Sequence, residues 1–454
     1  MLSYIKLRNF KSLTDVNIDL RGGNKKPKKM IFIYGENGAG KTNLISSILF
    51  LEKTLLTLSN NIKLRKFYDK NVPELLSDIE NDEIKKEVLD HIIKDSFFDM
   101  RSLIQENKTI NSEGNMEIKI GFNINGLEGS YELKFDDESV IFEELKYLVN
   151  ERVGRLFKID ANNIIISPSM ISTPSYKKEL KDNIEKYWGK NTFMSIIFNE
   201  IQIKNNDFIN NSLSPNLLDV FNWLKKISLQ CKNAKSSIGI MAMPTKILSN
   251  LEEGTITEKN NKELLSMEKF LNEVFTQLYS DVKKVYYVFT PIDNKFRYEL
   301  YFSKLIDDDV KAIPFNLEST GTQQLLDVIK FIFLAILGNT VIIDEMENGI
   351  HDLLIYEVIS SLFDAFNTLE NVQFIATTHS TYLMEMLPQE NIYILVSDAL
   401  GRKSILPIDN FDFRTQKNNN IRLKYLRGDY SGIPNVGYLD FNELVDQFRE
   451  DLKF

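Results

Sequence analysis

A glycine-rich loop that contains one lysine and one threonine carries the clearest chemical signal in this sequence. An apolar run at residues 28–34 leads into Gly-Glu-Asn-Gly-Ala-Gly-Lys-Thr, and the apolar residues that follow have helical spacing. Glycines at a strand–helix junction let backbone N–H groups surround a phosphate at the positive end of the helix dipole. We expect Lys41 to contact the terminal phosphates of a nucleotide and the Thr42 hydroxyl to bind Mg²⁺. The predicted phosphate-binding residues are Gly35, Asn37, Gly38, Ala39, Gly40, Lys41, Thr42 and Asn43.

Two carboxylates directly follow a second apolar run. Residues 340–343 favour a strand, and Asp344 and Glu345 come immediately after them. A strand of this composition is buried on both faces, and its carboxyl end lies at the sheet edge where α/β proteins bind ligands. We expect Asp344 to hold Mg²⁺ and Glu345 to orient and deprotonate an attacking water. The alternative is a solvated acidic loop without a chemical role.

A histidine and a serine–glycine pair are candidates for further phosphate contacts. Residues 372–378 form a third predicted buried strand, and His379 at its end is placed to donate to a γ-phosphate. Alternatively, His379 caps the helix that is predicted to begin at Ser380. Ser319 and Gly321 precede an apolar helix, where a hydroxyl and backbone N–H groups can form an anion site. A plain helix cap is the alternative for Ser319.

The spacing of these motifs predicts a nucleotide-binding head that is split by a long insertion. About 300 residues separate Lys41 from Asp344. The predicted fold class is α/β, with a mixed sheet and flanking helices interrupted by a mostly helical insertion. The insertion has no heptad repeats, so we expect a compact helical lid and no coiled-coil arm. The predicted units are residues 1–58 (N-terminal part of the head), 59–114 (helical insertion), 115–165 (antiparallel meander of the head), 166–280 (helical insertion or lid) and 281–454 (C-terminal part of the head).

The composition is that of an ordinary soluble globular chain. Of 454 residues, 43% are apolar and 26% are charged, and 55 basic against 64 acidic residues give a net charge of −9. These values exclude a collagen-like chain, a wholly disordered chain and a uniformly basic nucleic-acid binder. The single cysteine, Cys231, excludes a disulfide framework and is expected to be a buried apolar residue. No apolar stretch is long enough to span a bilayer and no signal peptide is present, so we expect a cytoplasmic protein without a membrane partner.

Taken together, the motifs resemble those of ABC-type ATPases. Residues 35–42, 319–322, 342–345 and 377–379 are similar to the family's Walker A, signature, Walker B and switch-histidine motifs. Residues 5–13 and 347–351 resemble the first strand and the D-loop of the SMC/RecF/OLD group. The signature has Ser-Thr-Gly-Thr in place of Ser-Gly-Gly-Gln, which resembles the phage-defence ATPases more than true SMC proteins. The tail at residues 424–434 is similar to that of stand-alone defence ATPases such as AriA of the PARIS system, with abortive-infection and Septu ATPases as relatives.

The resemblance implies a composite site made by two copies of the chain. In this family two Mg·ATP molecules lie between two heads, so the implied cofactors are ATP and Mg²⁺, and the chain forms a homodimer or a higher homo-oligomer. A Q-loop glutamine is not assigned, and Gln105 is one candidate in an unmatched region. The roles implied by the resemblance are catalysis by Lys41, Glu345 and His379, metal binding by Thr42 and Asp344, and closure of the site by Ser319 and Gly321 of the other copy.

Two functional hypotheses follow from these motifs. The first is a sensor ATPase of an anti-phage abortive-infection system, which holds and releases a separately encoded nuclease or toxin and responds to a phage-encoded trigger protein. The second is a DNA-repair or DNA-clamp ATPase of the RecF or SMC kind. Residues 1–29 and 402–427 carry net charges of +6 and +5, so DNA is a further candidate partner. The alternative for both basic patches is a solvated surface without a partner. A DNA clamp needs coiled-coil arms, and their absence from the sequence pattern favours the sensor-ATPase hypothesis.

Overall fold

Three sheets and the helices packed against them make up the described part of the chain. The computed structural model describes residues 1–75, 97–231, 246–258, 261–411, 420–434 and 440–452. The strands are β1 (Leu2–Phe10), β2 (Leu13–Asp19), β3 (Met30–Gly35), β4 (Met116–Ile124), β5 (Leu127–Phe135), β6 (Val140–Val149), β7 (Arg152–Asp160), β8 (Asn163–Ile166), β9 (Ile227–Gln230), β10 (Glu253–Ile256), β11 (Val282–Ile292), β12 (Lys295–Ile306), β13 (Asp309–Pro314), β14 (Thr340–Ile343), β15 (Gln373–Thr377), β16 (Ile392–Ser397) and β17 (Lys403–Pro407). The helices are α1 (Lys41–Leu75), α2 (Met100–Asn107), α3 (Pro174–Tyr187), α4 (Phe193–Ile203), α5 (Asn206–Ser212), α6 (Pro215–Leu224), α7 (Lys246–Ser249), α8 (Lys262–Leu278), α9 (Thr320–Ile336), α10 (Asp352–Thr368), α11 (Ile421–Leu426) and α12 (Phe441–Leu452).

The central sheet carries the glycine-rich loop. Its strand order is β17-β16-β3-β15-β14-β9, and every neighbouring pair is parallel except β16 with β17. All residues of β3, β14 and β15 are buried, because helices cover both faces of the sheet, and this explains their almost continuous apolar sequences. The α/β fold class and the three strands predicted to carry the motifs are confirmed.

Strand β9 joins this sheet from within a segment that was predicted to be an insertion. It pairs in parallel with β14, with Gln230 opposite Ile343. Helices α3 to α6, which precede β9, share one apolar cluster with this strand and with α1. Helix α1 also continues to Leu75 and crosses the predicted boundary at residue 58. The predicted separation of residues 166–280 from the head is therefore wrong for β9, and the insertion and the head share a core.

A seven-stranded antiparallel sheet packs on α1. Its order is β2-β1-β4-β5-β6-β7-β8, so β1 lies between its hairpin partner β2 and β4. Phe50 of α1 contacts the rings of Phe10 and Phe135 edge-on, with centroid distances of 5.8 Å and 5.2 Å. Edge-to-face aromatic packing adds to the free energy gained from burial. Helix α1, the first helix after the glycine-rich loop, is therefore packed against a sheet other than the central one.

A buried carboxylate joins this sheet to the start of α4. Glu143 of β6 is fully buried and accepts hydrogen bonds from the backbone N–H groups of Phe193 and Met194. The Tyr131 hydroxyl and the Trp188 indole donate to the same carboxylate at 2.8 Å and 3.0 Å. Burial raises the pKa of Glu143, and the four hydrogen bonds act in the opposite direction. Because its donors are protein groups, the carboxylate fixes α4 on the sheet at a reduced desolvation cost.

The third sheet has the order β10-β12-β11, and β13 pairs with residues 301–306 of β12, beyond the part that pairs with β10. Helix α8 is attached to β11 by two side chains that accept from strand N–H groups. Asn272 Oδ1 accepts from Val285 N at 2.9 Å, and Glu268 Oε2 accepts from Tyr287 N at 2.8 Å. These bonds occupy backbone groups of an edge strand, which would otherwise be open to further pairing.

One glutamine links the first strand of the chain to the central sheet. Gln373 of β15 is fully buried. Its Oε1 atom accepts from Leu2 N at 2.6 Å, and its Nε2 atom donates to Leu2 O and Lys28 O at 2.8 Å and 3.2 Å. The amide thus satisfies backbone groups that would be costly to bury unpaired.

Two smaller predictions concern Cys231 and membrane spans. Cys231 is a buried free thiol, as predicted. None of the helices in the described ranges combines the length and the apolar character that crossing a bilayer requires.

Glu52 on α1 is a buried carboxyl whose Oε1 atom has no hydrogen-bond partner. Burial raises its pKa from 4.5 to about 8. Over this interval the folded protein holds the proton more tightly than the unfolded chain, so the free energy of unfolding should fall as the pH rises from 4.5 to about 8. Glu52→Gln should therefore raise the melting temperature above pH 8 and change it little near pH 4.5.

Thermal unfolding of the variant and the wild type across this pH range checks the prediction. The exposed Glu370→Gln is the control, because it removes a carboxyl of the same type from solvent. A stability difference between Glu52→Gln and the wild type that does not change with pH would contradict the argument.

Candidate functional site

The loop between β3 and α1 requires glycine at two closely packed positions. Gly35 has a φ of 153°, and a Cβ there would lie 2.7 Å from the carbonyl oxygen of Leu395 on β16. Gly40 has a φ of 115°, and its Cβ would lie 3.0 Å from the Leu13 side chain. Other residues would be strained at both positions. The loop is therefore fixed between β16 and the turn that joins β1 to β2.

Lys41 is the cation of this loop. It is 6% exposed, and its Nζ atom donates to the carbonyl oxygens of Gly35 and Glu36 at 2.7 Å and 3.1 Å. Burial lowers the pKa of Lys41, and the carboxylates of Glu345 and Asp344 act in the opposite direction. The ammonium group of Lys41 thus interacts electrostatically with the carboxylates of Asp344 and Glu345 at one edge of the central sheet.

Thr377 at the end of β15 positions both members of the acidic pair. Its hydroxyl donates to Asp344 Oδ1 at 2.6 Å and accepts from Glu345 N at 2.8 Å. Glu345 has a φ of 48°, in the left-handed region. This conformation costs on the order of 1 kcal/mol in a non-glycine residue and persists where the surrounding structure fixes it. Because of this bend, the side chains of Asp344 and Glu345 have different surroundings although the two residues are adjacent in sequence: Asp344 is buried and Glu345 lines a cleft.

A cleft of about 140 Å³ lies between the glycine-rich loop and the acidic pair. Ala39 is buried and Gly35 belongs to β3, so neither of these two predicted residues lines the cleft. Asp344 is 5% exposed and does not line the cleft. The structure thus brings together predicted residues from three separate parts of the chain. The residues that line the cleft are Asn37, Gly38, Gly40, Lys41, Thr42, Asn43, Glu345 and His379.

His379 lies on the cleft and does not cap the following helical turn. That turn, Thr381–Glu385, has Ser380 at its N-cap position. The backbone N–H of His379 donates to Glu347 Oε1, and burial raises the pKa of Glu347. Glu347, from the tract compared with a D-loop, therefore fixes the backbone of the histidine loop. The cap position is thus occupied by Ser380, and a contact of His379 with a γ-phosphate stays a prediction.

Two buried oxygen atoms at neighbouring strand ends have no hydrogen-bond partner, Asp344 Oδ2 and Gln230 Oε1. The strand ends are joined by a hydrogen bond from Asp344 N to Gln230 O at 2.9 Å. Unpaired buried oxygens are costly, and Mg²⁺ prefers carboxylate, amide and hydroxyl oxygens as ligands. These two atoms and the Thr42 hydroxyl therefore fit a Mg²⁺ that takes its other ligands from nucleotide phosphates and water. No cluster of three His, Cys, Asp or Glu side chains suited to a metal occurs among the described residues.

Gln230 is a candidate site residue that the sequence analysis missed. The sequence candidate, Gln105, is exposed on α2 and does not line the cleft. The available signal was weak, because β9 is only Ile-Ser-Leu-Gln in a largely helical segment. Like β14, it is a short β-favouring run with a polar residue at its carboxyl end, Gln230 as the last residue of β9 and Asp344 directly after β14.

Ser319 and Gly321 are not part of this cleft. Ser319 is the exposed N-cap of α9, and its hydroxyl accepts from Thr322 N at 3.2 Å. A Cβ at Gly321 would lie 2.6 Å from the carbonyl oxygen of Gly349, so the first turn of α9 lies directly on the tract after the acidic pair. The helix cap is present, and a phosphate contact of Ser319 stays a prediction that requires a second chain.

The C-terminal segment packs against the back of the phosphate-binding strand. The ring of Tyr425 meets that of Tyr34 edge-on at 5.8 Å, and its hydroxyl donates to Gly432 O at 2.9 Å. The hydroxyl of the buried Tyr34 donates to Ser380 O at 3.1 Å. Burial raises the pKa of Tyr425 to about 12. The tail motif therefore supports both the glycine-rich loop and the histidine loop, a role that its sequence did not show.

Both basic patches are partly neutralised within the chain. Ion pairs join Arg21 to Asp19, Arg402 to Asp398 and Arg422 to Glu385, at 2.8, 2.6 and 2.8 Å. Lys29 donates to Phe366 O and Leu369 O, and Lys28 donates to the Tyr393 hydroxyl. Residues 412–419 of the second patch lie outside the described residues. Asp398 and Glu385 lie outside the second patch, so their ion pairs lower its available charge below +5, whereas Asp19 is already counted in the +6 of the first patch.

A family model described as "AAA domain, putative AbiEii toxin, Type IV TA system" matches residues 30–385. That stretch includes the glycine-rich loop, β9, the acidic pair and His379. The chain belongs to this AAA family. A comparison of this family member with curated proteins gives no match.

Two solved structures are similar to this AAA-family chain. One is the SMC head domain from Thermotoga maritima, with 14% identity, coverage of 89% of this chain and 98% of that chain, and a TM-score of 0.38. The other is the Smc head domain with an extended coiled coil bound to the C-terminal domain of ScpA, derived from Pyrococcus furiosus, with 15% identity, 89% and 95% coverage, and a TM-score of 0.40.

Gln230→Ala should weaken nucleotide binding only when Mg²⁺ is present, because the amide oxygen is placed to act through the metal. We expect a loss of about tenfold or more in the apparent Mg²⁺ affinity of the nucleotide complex. Titration of a fluorescent ATP analogue at several Mg²⁺ concentrations and in EDTA measures this. Gln105→Ala is the matched control and should behave as the wild type. An equal loss of binding by Gln230→Ala in EDTA would contradict the metal role.

Proposed function

We propose that this chain binds and hydrolyses ATP with Mg²⁺, and that its nucleotide state holds or releases a separately encoded effector in a bacterial anti-phage system. The cleft that joins Lys41, Thr42, Glu345 and His379 carries the proposal. It places a cation, a hydroxyl, a carboxylate and an imidazole on one concave edge, which is the set of groups that phosphoryl transfer to water uses.

In the proposed reaction, the oxygen of a water attacks the γ-phosphorus of ATP and the bond from that phosphorus to the β–γ bridging oxygen breaks. Glu345 takes the proton of the attacking water, and ADP and phosphate leave. Lys41 and the loop N–H groups hold the phosphates, while His379 donates to the γ-phosphate. Mg²⁺, when bound, neutralises charge on the β- and γ-phosphate oxygens. The Thr377 hydroxyl keeps Glu345 in place, since it accepts from the backbone of that residue at 2.8 Å.

The site is proposed to be complete only between two heads. Ser319 is exposed and lies outside the cleft of its own chain, so its hydroxyl and the α9 N-terminus are accessible to a second copy. A helix N-terminus with a serine cap suits an anion. The two-fold arrangement would place Ser319 and Gly321 of one copy over the nucleotide of the other, and ATP would then hold the heads together.

The defence role rests on the family description and on the architecture. The matched family model names a putative AbiEii toxin and a type IV toxin–antitoxin system. We propose that this chain is the ATPase component that controls such an effector, that a phage-encoded trigger changes its state, and that the nearest subgroup is the one that includes AriA of the PARIS system. A change between closed and open heads is a state that another protein can recognise.

A RecF- or SMC-like role on DNA is the second candidate. It is favoured by Lys25 and Lys26, which are exposed within the basic patch of residues 1–29. It is weakened by the intramolecular contacts of Arg21, Lys28 and Lys29. Salt-dependent binding of duplex DNA in the ATP state, with a slope that falls by about one in Lys25→Ala, would favour this second candidate.

Glu345→Gln should retain ATP binding and lose hydrolysis, because the amide keeps the shape of the side chain but cannot accept the proton. We expect phosphate release to fall by about 100-fold or more. Lys41→Ala should lose ATP binding itself, since it removes the cation of the loop. Phosphate release and isothermal titration separate the two effects. Wild-type turnover in Glu345→Gln would reject this residue as the base.

The same two variants test the effector role. Glu345→Gln should trap closed heads and Lys41→Ala should not form them, so the two should retain the product of the neighbouring gene to different extents in a pull-down with ATP. Equal retention in every state would remove the sensor hypothesis and leave the ATPase assignment intact.

Mixing two inactive variants tests the composite site. Ser319→Arg should bind ATP but block hydrolysis in the other copy, whereas Lys41→Ala fails in its own cleft. In a mixed two-fold pair, one site carries both defects and the other carries neither. Up to about a quarter of wild-type turnover should therefore return in an equal mixture, because about half of the pairs are mixed and each has one intact site. Subunit exchange is verified by mass spectrometry of tagged chains, and exchange without recovery of phosphate release would count against action in trans.

A further inference from the structure

Three consecutive backbone N–H groups fix the loop that carries His379, and the middle one is bound by a side chain from another segment. Thr378 N donates to Ile33 O on β3 at 3.1 Å, and Ser380 N donates to the Thr378 hydroxyl at 3.1 Å. His379 N donates to Oε1 of Glu347. The first two bonds hold the flanking residues, and the carboxylate of Glu347 holds the backbone of the histidine itself.

The tract that supplies Glu347 is itself fixed at both ends. Met346 N donates to Thr377 O at 3.3 Å, which ties the tract to the end of β15. A Cβ at Gly321 would lie 2.6 Å from Gly349 O, so the first turn of α9 packs directly on the other end of the tract. A positioning group is effective when the structure behind it is rigid. The carboxylate of Glu347 therefore has a fixed backbone from which to hold a neighbouring loop.

The carboxyl of Glu347 is in an energetically unfavourable place. Its Oε2 atom is buried and has no hydrogen-bond partner in the described part of the chain, and burial raises the pKa of the group. A buried carboxyl with an unpaired oxygen lowers stability, so its presence favours a function. Glu347 does not line the cleft, although it lies two residues after Glu345. The bond to His379 N is the contact through which Glu347 reaches a residue that does line it.

We propose that Glu347 is a positioning residue for ATP hydrolysis, which accepts from the backbone N–H of His379 and thereby directs the imidazole toward the γ-phosphate. This inference rests on the proposed function, in which His379 donates to that phosphate. Glu347 acts through the histidine and does not contact the nucleotide. Because ADP has no γ-phosphate, loss of Glu347 changes the binding and turnover of ATP and leaves the binding of ADP as it is.

The first experiment compares two nucleotides in two variants, Glu347→Ala and His379→Ala. Isothermal titration measures the affinities for ADP and for a non-hydrolysable ATP analogue, and phosphate release gives kcat. We expect Glu347→Ala to bind ADP as the wild type does and to bind the analogue about as weakly as His379→Ala. Its kcat should fall about tenfold or more, because a small displacement of a reacting group is costly. The control is Glu357→Ala, the same change at an exposed position of α10, which should match the wild type.

A conservative variant, Glu347→Gln, separates the acceptor from the charge. The amide oxygen still accepts from His379 N, although less strongly than a carboxylate does, so most of the kcat lost in Glu347→Ala should return. The charge of Glu347 also acts on Lys41, together with the charges of Glu345 and Asp344. If that charge were the important property, Glu347→Gln would be as slow as Glu347→Ala, and both variants would have an altered affinity for ADP. That result would overturn the proposal.

A double-mutant cycle shows whether Glu347 acts through His379. The fold-losses of two residues that act as one unit do not multiply, whereas those of independent residues do. Glu347→Ala combined with His379→Ala should therefore have the kcat of His379→Ala alone, within about twofold. Losses that multiply would reject the proposal, and so would a wild-type kcat in either single variant.

Thermal unfolding of each variant separates misfolding from misplacement. If Glu347→Ala does not fold, Glu347→Leu takes its place, because leucine has a similar volume and no acceptor. A failure of the proposed function would look different from a failure of this inference. A wild type that binds nucleotide but releases no phosphate would reject hydrolysis, and the ratio of analogue affinity to ADP affinity would still test Glu347. Wild-type turnover with the same ratio in Glu347→Ala would reject the positioning role alone.

Discussion

The parallel register of β3, β15, β14 and β9 is the constraint on which the candidate site depends. Parallel strands in one sheet present their carboxyl ends at one edge, and ligands of open α/β sheets bind there. In this chain that edge collects the glycine-rich loop, Thr377, the acidic pair and Gln230 from segments far apart in sequence. A shift of β14 by one residue would exchange the directions of Asp344 and Glu345. The two bonds of Thr377 resist that shift.

Some buried polar groups in this structure have hydrogen-bond partners within the protein, and others do not. The carboxylate of Glu143 and the amide of Gln373 are surrounded by protein partners and join separate elements. By contrast, one oxygen each of Asp344 and Gln230 is buried without a partner at the edge of the sheet. Because an unpaired buried oxygen lowers stability, its presence at this edge favours a function over a structural role. Glu52 is unpaired far from the cleft, and we assign it no role beyond its effect on stability.

The features that local sequence determines were predictable, and those that depend on distant pairing were not. The glycine-rich loop, the strand before Asp344 and the strand before His379 each have a complete local pattern, and the structure places their residues on one cleft. Strand β9 has four residues, and only its pairing with β14 identifies Gln230 as a neighbour of Asp344. The contact of Tyr425 with Tyr34 likewise joins opposite ends of the chain. Composition and periodicity carry no information about such contacts.

The position of β3 also has a consequence for synthesis of the chain. Its two neighbours in the sheet, β15 and β16, begin at Gln373 and Ile392, whereas β3 ends at Gly35. At typical translation rates, an interval of about 20 to 70 seconds separates the emergence of β3 from that of its partners. The nascent chain must therefore keep an apolar strand and its loop unpaired until the C-terminal part has left the ribosome. Pairing of such high contact order is slow, so a truncated product would expose an unpaired apolar strand and would leave the edge that collects the glycine-rich loop, Thr377 and the acidic pair unassembled.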